Sequence, residues 1–129
     1  MIGEALPEYE IGPVSAEKMK TMSALMRDAN PIHFDPAAVC ALGMGDRVVN
    51  QGPLNQAYVV TMLARWAGGA DRVRAIRLRY LGNVFAGDKL RAGGTVTAVR
   101  GAEVDCEVWL EVIGGAKVIS GTATVHKGE

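Results

Sequence analysis

Between Gly52-Pro53 and Gly68-Gly69 runs a segment with almost no polar side. Leu54, Ala57, Tyr58, Val59, Val60, Met62, Leu63, Ala64 and Trp66 are apolar, and Arg65 is its only charge. Proline at the first helical position and glycine past the end predict a helix from Gly52 to about Ala67. A helix apolar on nearly every side belongs in a core, so other elements must wrap it. No other feature restricts the possible folds as much.

The rest of the chain supplies the wrapper. Ile76, Leu78 and Tyr80 alternate with Arg77 and Arg79, the period-two pattern of a half-buried strand. A long strand rich in glycine and threonine follows from Lys89 to Arg100. From Glu103 to Ile113, Val104, Cys106, Val108, Leu110 and Val112 share one face and Glu103, Asp105, Glu107 and Glu111 the other. Gly114-Gly115 makes a hairpin turn, and Lys117 to His126 returns as the last strand. Upstream, Tyr9 to Val14 reads as a short strand ended by Gly12-Pro13. Ser15 then N-caps a helix from Ala16 to about Arg27, with Met19, Met22 and Met26 along a face that reads as core packing. Asn30-Pro31 stops it, and Asp35-Pro36 opens another that ends before Gly43. The expected architecture is α+β: one curved antiparallel sheet wrapped around a long central helix, in a single domain over 1–129.

At 129 residues there is material for one core, not two. Fourteen basic and fourteen acidic side chains balance, which gives no field favouring nucleic acid or an anionic membrane. No apolar run approaches the roughly 20 residues that span a bilayer, and the N-terminus lacks a signal pattern. Cys40 and Cys106 lack metal-type spacing and read as reduced core cysteines of a cytoplasmic protein.

The chemistry concentrates in Asp28-Ala29-Asn30-Pro31-Ile32-His33. An aspartate and an imidazole held across a rigid Asn-Pro break can share one water and pass protons through it. Imidazole, with an ordinary pKa near ~6.5, exchanges protons around neutrality. Adding water to an activated double bond needs such a pair, and also a donor for the oxygen on which enolate charge grows. The opening of the central helix offers one: its N–H groups are unpaired, Pro53 has none, and Gly52 has no side chain in the way. Asp28 and His33 are therefore the candidate catalytic residues, with their individual acid and base roles open. Gly52 and Asn30 are the candidate substrate-binding residues, although a helix start and an Asn-Pro turn account for both without a ligand. Asp35, before Pro36, reads as a helix cap. No metal or redox cofactor is expected, since no third nitrogen or sulfur ligand lies near. His126 reads as a surface residue, Arg77 and Arg79 as solvated strand charges, and Tyr58 and Trp66 as core aromatics.

The order of parts resembles the MaoC-like branch of the hot-dog fold, the (R)-specific enoyl-CoA hydratases and 3-hydroxyacyl dehydratases. The family motif is Asp, a variable residue, Asn-Pro, a variable residue, His, and a further Asp; Asp28-Ala29-Asn30-Pro31-Ile32-His33-Phe34-Asp35 matches every fixed position. Gly52 matches the helix-opening glycine, and Gly87-Asp88 the Gly-Asp pair after an apolar strand. The chain departs in having Asn50-Gln51 where many members place histidine, and Val60 near where some place a serine. The resemblance implies a hot-dog domain that hydrates 2-enoyl thioesters of CoA or acyl carrier protein, reversibly and without cofactor. It also implies a homodimer, or a higher oligomer of dimers, with sites near the interface. Two rivals keep the fold. A thioesterase would carry a carboxylate on the central helix, and none lies between Gly52 and Ala67. A non-catalytic acyl-binding partner subunit of a heteromeric dehydratase would lack the Asp/His pair, which this chain keeps.

Overall fold

Alternation in the C-terminal half builds the sheet. A computed structural model describes residues 1–127. It contains β1 (Tyr9–Ile11), α1 (Ala16–Met26), a 3₁₀ turn (Pro31–His33), α2 (Pro36–Ala41), α3 (Gly52–Ala67), a second 3₁₀ turn (Ala70–Arg72), β2 (Val73–Tyr80), β3 (Leu90–Arg100), β4 (Glu103–Val112) and β5 (Lys117–His126). The five strands form one antiparallel curved sheet in the order β1-β3-β4-β5-β2. This is the expected α+β hot-dog arrangement, with α3 lying against one face.

The core forms where α3 meets that face. Val59, Met62 and Leu63 of α3 and Leu90, Val108, Leu110, Ile119 and Val125 of the sheet are almost wholly excluded from solvent. Each such side chain contributes about 1.5–3 kcal/mol relative to exposure. Shifts of register within β2–β5, β3–β4 and β4–β5 bend the strands as bulges do. The glycines of β3 have a packing reason. A Cβ on Gly93 would stand 2.9 Å from the Trp109 ring, which lies flat against the strand with Lys117 over its centroid at 4.8 Å.

Several expectations need correction. α3 lies against the curved sheet as expected but is not buried on nearly every side: Pro53, Gln56, Ala57 and Arg65 are exposed, and Val60, Thr61 and Ala64 half-buried. The methionine face of α1 buries Met19 alone; Met26 is 40% exposed. Cys106 is a core residue but Cys40 is exposed on α2. β1 stops at Ile11, and β2 begins at Val73, three residues before the alternating run. The irregularity between Val73 and Ala75 shifts the period there and hides the strand's start from a period-two search. His126 is half-buried and faces Glu103 at 3.6 Å. Among the described residues, no helix is long and apolar enough to cross a membrane.

Candidate active site

Asp28 is delivered by the way α1 ends. Arg27 adopts the left-handed conformation (φ 52°), its N–H returns to Ala24, and the Asp28 N–H reaches the Ser23 carbonyl at 2.9 Å. This is a Schellman closure with arginine where glycine is usual. The next residues orient the carboxylate. The Asn30 N–H donates to Asp28 Oδ1 at 3.0 Å, an Asx turn, and Asn30 Oδ1 accepts from the Ile32 N–H at 3.3 Å. Asn30 thus caps the 3₁₀ turn that Pro31 opens, and that turn presents His33.

His33 is 8% exposed, and both ring nitrogens are engaged. Nδ1 lies 2.7 Å from the Val49 carbonyl oxygen, and Nε2 lies 3.3 Å from Asp28 Oδ2. A carbonyl oxygen can only accept, so Nδ1 carries a hydrogen. With neutral imidazole and ionised carboxylate, lone pairs on Nε2 and Oδ2 would face each other. A shared proton, or a water donating to both, removes the conflict. The arrangement can therefore hold one shared proton between the two groups.

The Val49 carbonyl is itself braced. The Val49 N–H donates to Ile32 at 2.8 Å, and residues 48–50 pair on their other side with 84–86, through Asn50 to Val84 (2.7 Å) and Ala86 to Val48 (2.9 Å). Asp88 of the Gly-Asp pair closes that second segment: Oδ2 accepts the Phe85 N–H at 2.9 Å and Oδ1 pairs with Arg47 at 3.0 Å. A groove of about 530 Å³ lined by Lys20, Ser23, Arg27, Asp28 and Phe34 opens over the aspartate.

Gly52 begins α3, and Tyr80 donates its hydroxyl to the Gly52 carbonyl at 3.2 Å. Among the described residues nothing accepts from the Gly52 N–H. It makes no hydrogen bond to Asp28 or His33, but it follows Val49 by three residues, a reach of at most about 10 Å. The structure therefore brings Asp28 and His33 into contact, with Asn30 as orienter, and puts Gly52 on the segment that anchors His33. Asp35 is a cap, its Oδ1 accepting the Ala37 N–H at 3.0 Å.

Three buried amides surround the start of α3, of which the sequence marked Asn50 and Gln51 only as departures from the family pattern. Asn50 (4% exposed) donates to Asn55 at 2.8 Å and to the Tyr58 hydroxyl at 3.2 Å. Tyr58 is thus half of a polar contact and not a plain core aromatic. Gln51 (1% exposed) donates to the Met19 carbonyl at 2.9 Å and Ser23 Oγ at 3.0 Å, while its Oε1 is buried without a partner. Consecutive Asn-Gln before an apolar helix was the available signal, since buried amides must find partners.

A family model described as the MaoC like domain matches residues 3–118. The chain belongs to the MaoC-like domain family. The general chemistry of that family is hydration and dehydration. The UPF0336 protein Lxx02810 of Leifsonia xyli subsp. xyli is 32% identical over 143 aligned positions, covering 96% of this chain and 94% of that one. Two solved structures share the fold. The (R)-hydratase from A. caviae involved in PHA biosynthesis aligns with TM-score 0.86 at 24% identity, over 99% of this chain and 97% of its own. The ChsH1-ChsH2 complex from Mycobacterium tuberculosis aligns with TM-score 0.82 at 21% identity, over 98% and 97%.

Proposed function

We propose that this MaoC-like protein reversibly hydrates 2-enoyl thioesters, and in reverse dehydrates (R)-3-hydroxyacyl thioesters, linked to CoA or acyl carrier protein. The observation that carries this reading is the 3.3 Å approach of His33 Nε2 to Asp28 Oδ2, with Nδ1 already committed to Val49.

In hydration, a water held between the two groups loses a proton to the pair as its oxygen bonds the β-carbon. The double-bond electrons move toward the thioester oxygen, where the Gly52 N–H stabilises the growing negative charge. The pair then returns one proton to the α-carbon, so it ends as it began. Acid and base roles belong to the pair as a unit. A preorganised donor such as the Gly52 N–H contributes about 2.7–4 kcal/mol to the transition state.

The test is hydration of crotonyl-CoA against hydrolysis of a saturated acyl-CoA, followed by chiral analysis of the 3-hydroxyacyl product. Hydration to the (R) product is expected. Hydrolysis without hydration would replace this reading with the thioesterase one. A substrate series of increasing chain length would define the acyl preference.

We further propose a dimer as the working unit. β2 ends the sheet with one edge unpaired, and the outer flank of α3 is exposed; edges of this kind are usually covered. The occurrence of this fold within the ChsH1-ChsH2 complex makes a heteromer the second form to test. Light scattering should return a dimer or larger; a monodisperse monomer that is fully active would rule the dimer out as the working unit, whereas inactivity rescued by a second polypeptide would establish a heteromer.

A further inference from the structure

We infer that Gln51 is a positioning residue for the proton-transfer pair: its buried amide ties the helix that delivers Asp28 to the segment that anchors His33. This rests on the reading that Asp28 and His33 perform the reaction.

Two routes connect the reactive groups. The short one is the loop itself, from Asp28 through the Asn30 cap to His33. The long one runs through Gln51. Both amide hydrogens of Gln51 are spent on α1, on the Met19 carbonyl (2.9 Å) and Ser23 Oγ (3.0 Å). The Ser23 carbonyl in turn receives the Asp28 N–H at 2.9 Å. Through the main chain, Gln51 lies two residues beyond Val49, whose carbonyl holds His33 Nδ1. One side chain thus fixes the end of α1 relative to the imidazole's anchor.

The chemistry of the amide supports a directional role. Gln51 is the N-cap residue of α3, yet its side chain makes no capping bond. Its Oε1 is buried and unpartnered, a state that costs free energy and that an apolar side chain of similar size would avoid. As a space-filler glutamine is a poor choice here; as a two-donor tie it fits. A glutamate would set an oxygen against the Met19 carbonyl and cannot substitute. Asp28 is the ionisable side chain in contact with His33, so movement of α1 against Val49 alters both their separation and the environment of the ring.

The test uses the full chain in its native oligomer. Gln51→Leu keeps the volume and removes both donors; Ser23→Ala removes one acceptor. Circular dichroism and thermal unfolding report the fold, NMR follows the His33 imidazole titration, and kcat and KM are measured with crotonyl-CoA. In folded Gln51→Leu, kcat should fall at least about tenfold with KM within about twofold, because misplacement of reacting groups acts on turnover. The His33 titration midpoint should move with it. Ser23→Ala should shift both in the same direction by less, and the double variant should be no worse than Gln51→Leu alone. A folded Gln51→Leu with kcat and His33 titration unchanged would overturn the inference, as would a rise in KM at constant kcat. If Gln51→Leu does not fold, Ser23→Ala decides: unchanged kcat and titration reject the tie. Were the wild-type protein inactive on enoyl thioesters, the proposed reaction would fail while the NMR titration still tested the tie.

Discussion

β3–β5 and the segment from Arg27 to Asp35 are held together in different ways. In the sheet, each inward side chain is one of many: Leu90, Val108, Leu110, Ile119 and Val125 all pack into the same core, and pairing runs the length of the strands. At the site, single hydrogen bonds decide single distances. One N–H orients Asp28, one carbonyl selects the proton position on His33, and one side chain joins α1 to the start of α3. Redundant packing sets stability, whereas unique contacts set the geometry of the proposed proton-transfer pair. Stability and activity should therefore separate cleanly under mutation.

The largest expected effect lies in the sheet. Leu110→Ala should cost about 2–5 kcal/mol, read from urea unfolding, while turnover per folded molecule stays near wild type. A large loss of activity in the folded variant would show that core and site are not separable. Next come Asp28→Asn and His33→Ala. Each should lower kcat at least about a hundredfold, about 2.7 kcal/mol at ~1.36 kcal/mol per tenfold. The melting temperature should be little changed in Asp28→Asn and lowered in His33→Ala, which empties a buried ring site and strands the Val49 carbonyl. Near-wild-type turnover in either folded variant would remove the pair from the mechanism.

A smaller effect separates the two cysteines. Burial pushes the Cys106 thiol up to about 11, first by desolvation and then by the nearby Asp105 charge. Iodoacetamide at mildly alkaline pH should label exposed Cys40 quickly and Cys106 only on unfolding. The folded thiol is raised above its ordinary value near ~8.5, so its contribution to stability is complete below that value and is lost as pH rises toward about 11. Fast labelling of both thiols in the native protein would show that the core opens readily.

The smallest effect is on the outer face of the sheet. Hydrogen bonds from Arg100 and then Thr124 hold the Asp105 carboxyl below the usual range. A depressed folded pKa gives stability that is present above the ordinary carboxylate value and lost as pH falls through the folded one. Asp105→Asn should therefore lower stability slightly at neutrality, where the charge contributes, and converge with wild type well below about pH 4, with no change in activity.

Much of this molecule could be read from residue order, and for identifiable reasons. Strand alternation and the Gly-Pro and Gly-Gly boundaries of α3 are local signals, and β5 and α3 lie where those signals predict. The Asp28/His33 pairing was legible because a short proline-stiffened loop leaves few geometries. Gln51 and Asn50 were not, since an amide's partners lie on other elements, 28 and five residues away in the cases of Ser23 and Asn55. The Val49 carbonyl has no side-chain signature at all.

By itself, the sequence determined that a long apolar helix must lie against an antiparallel sheet, and that an aspartate and a histidine would stand near each other. Periodicity and turn chemistry act over a few residues, so their consequences are written in order along the chain. Only the tertiary structure decided that the sheet covers one side of α3, that Val49 holds the imidazole by Nδ1, and that Gln51 joins α1 to the start of α3. Those outcomes depend on which backbone groups meet across long stretches of chain, and folding alone brings them within hydrogen-bonding distance.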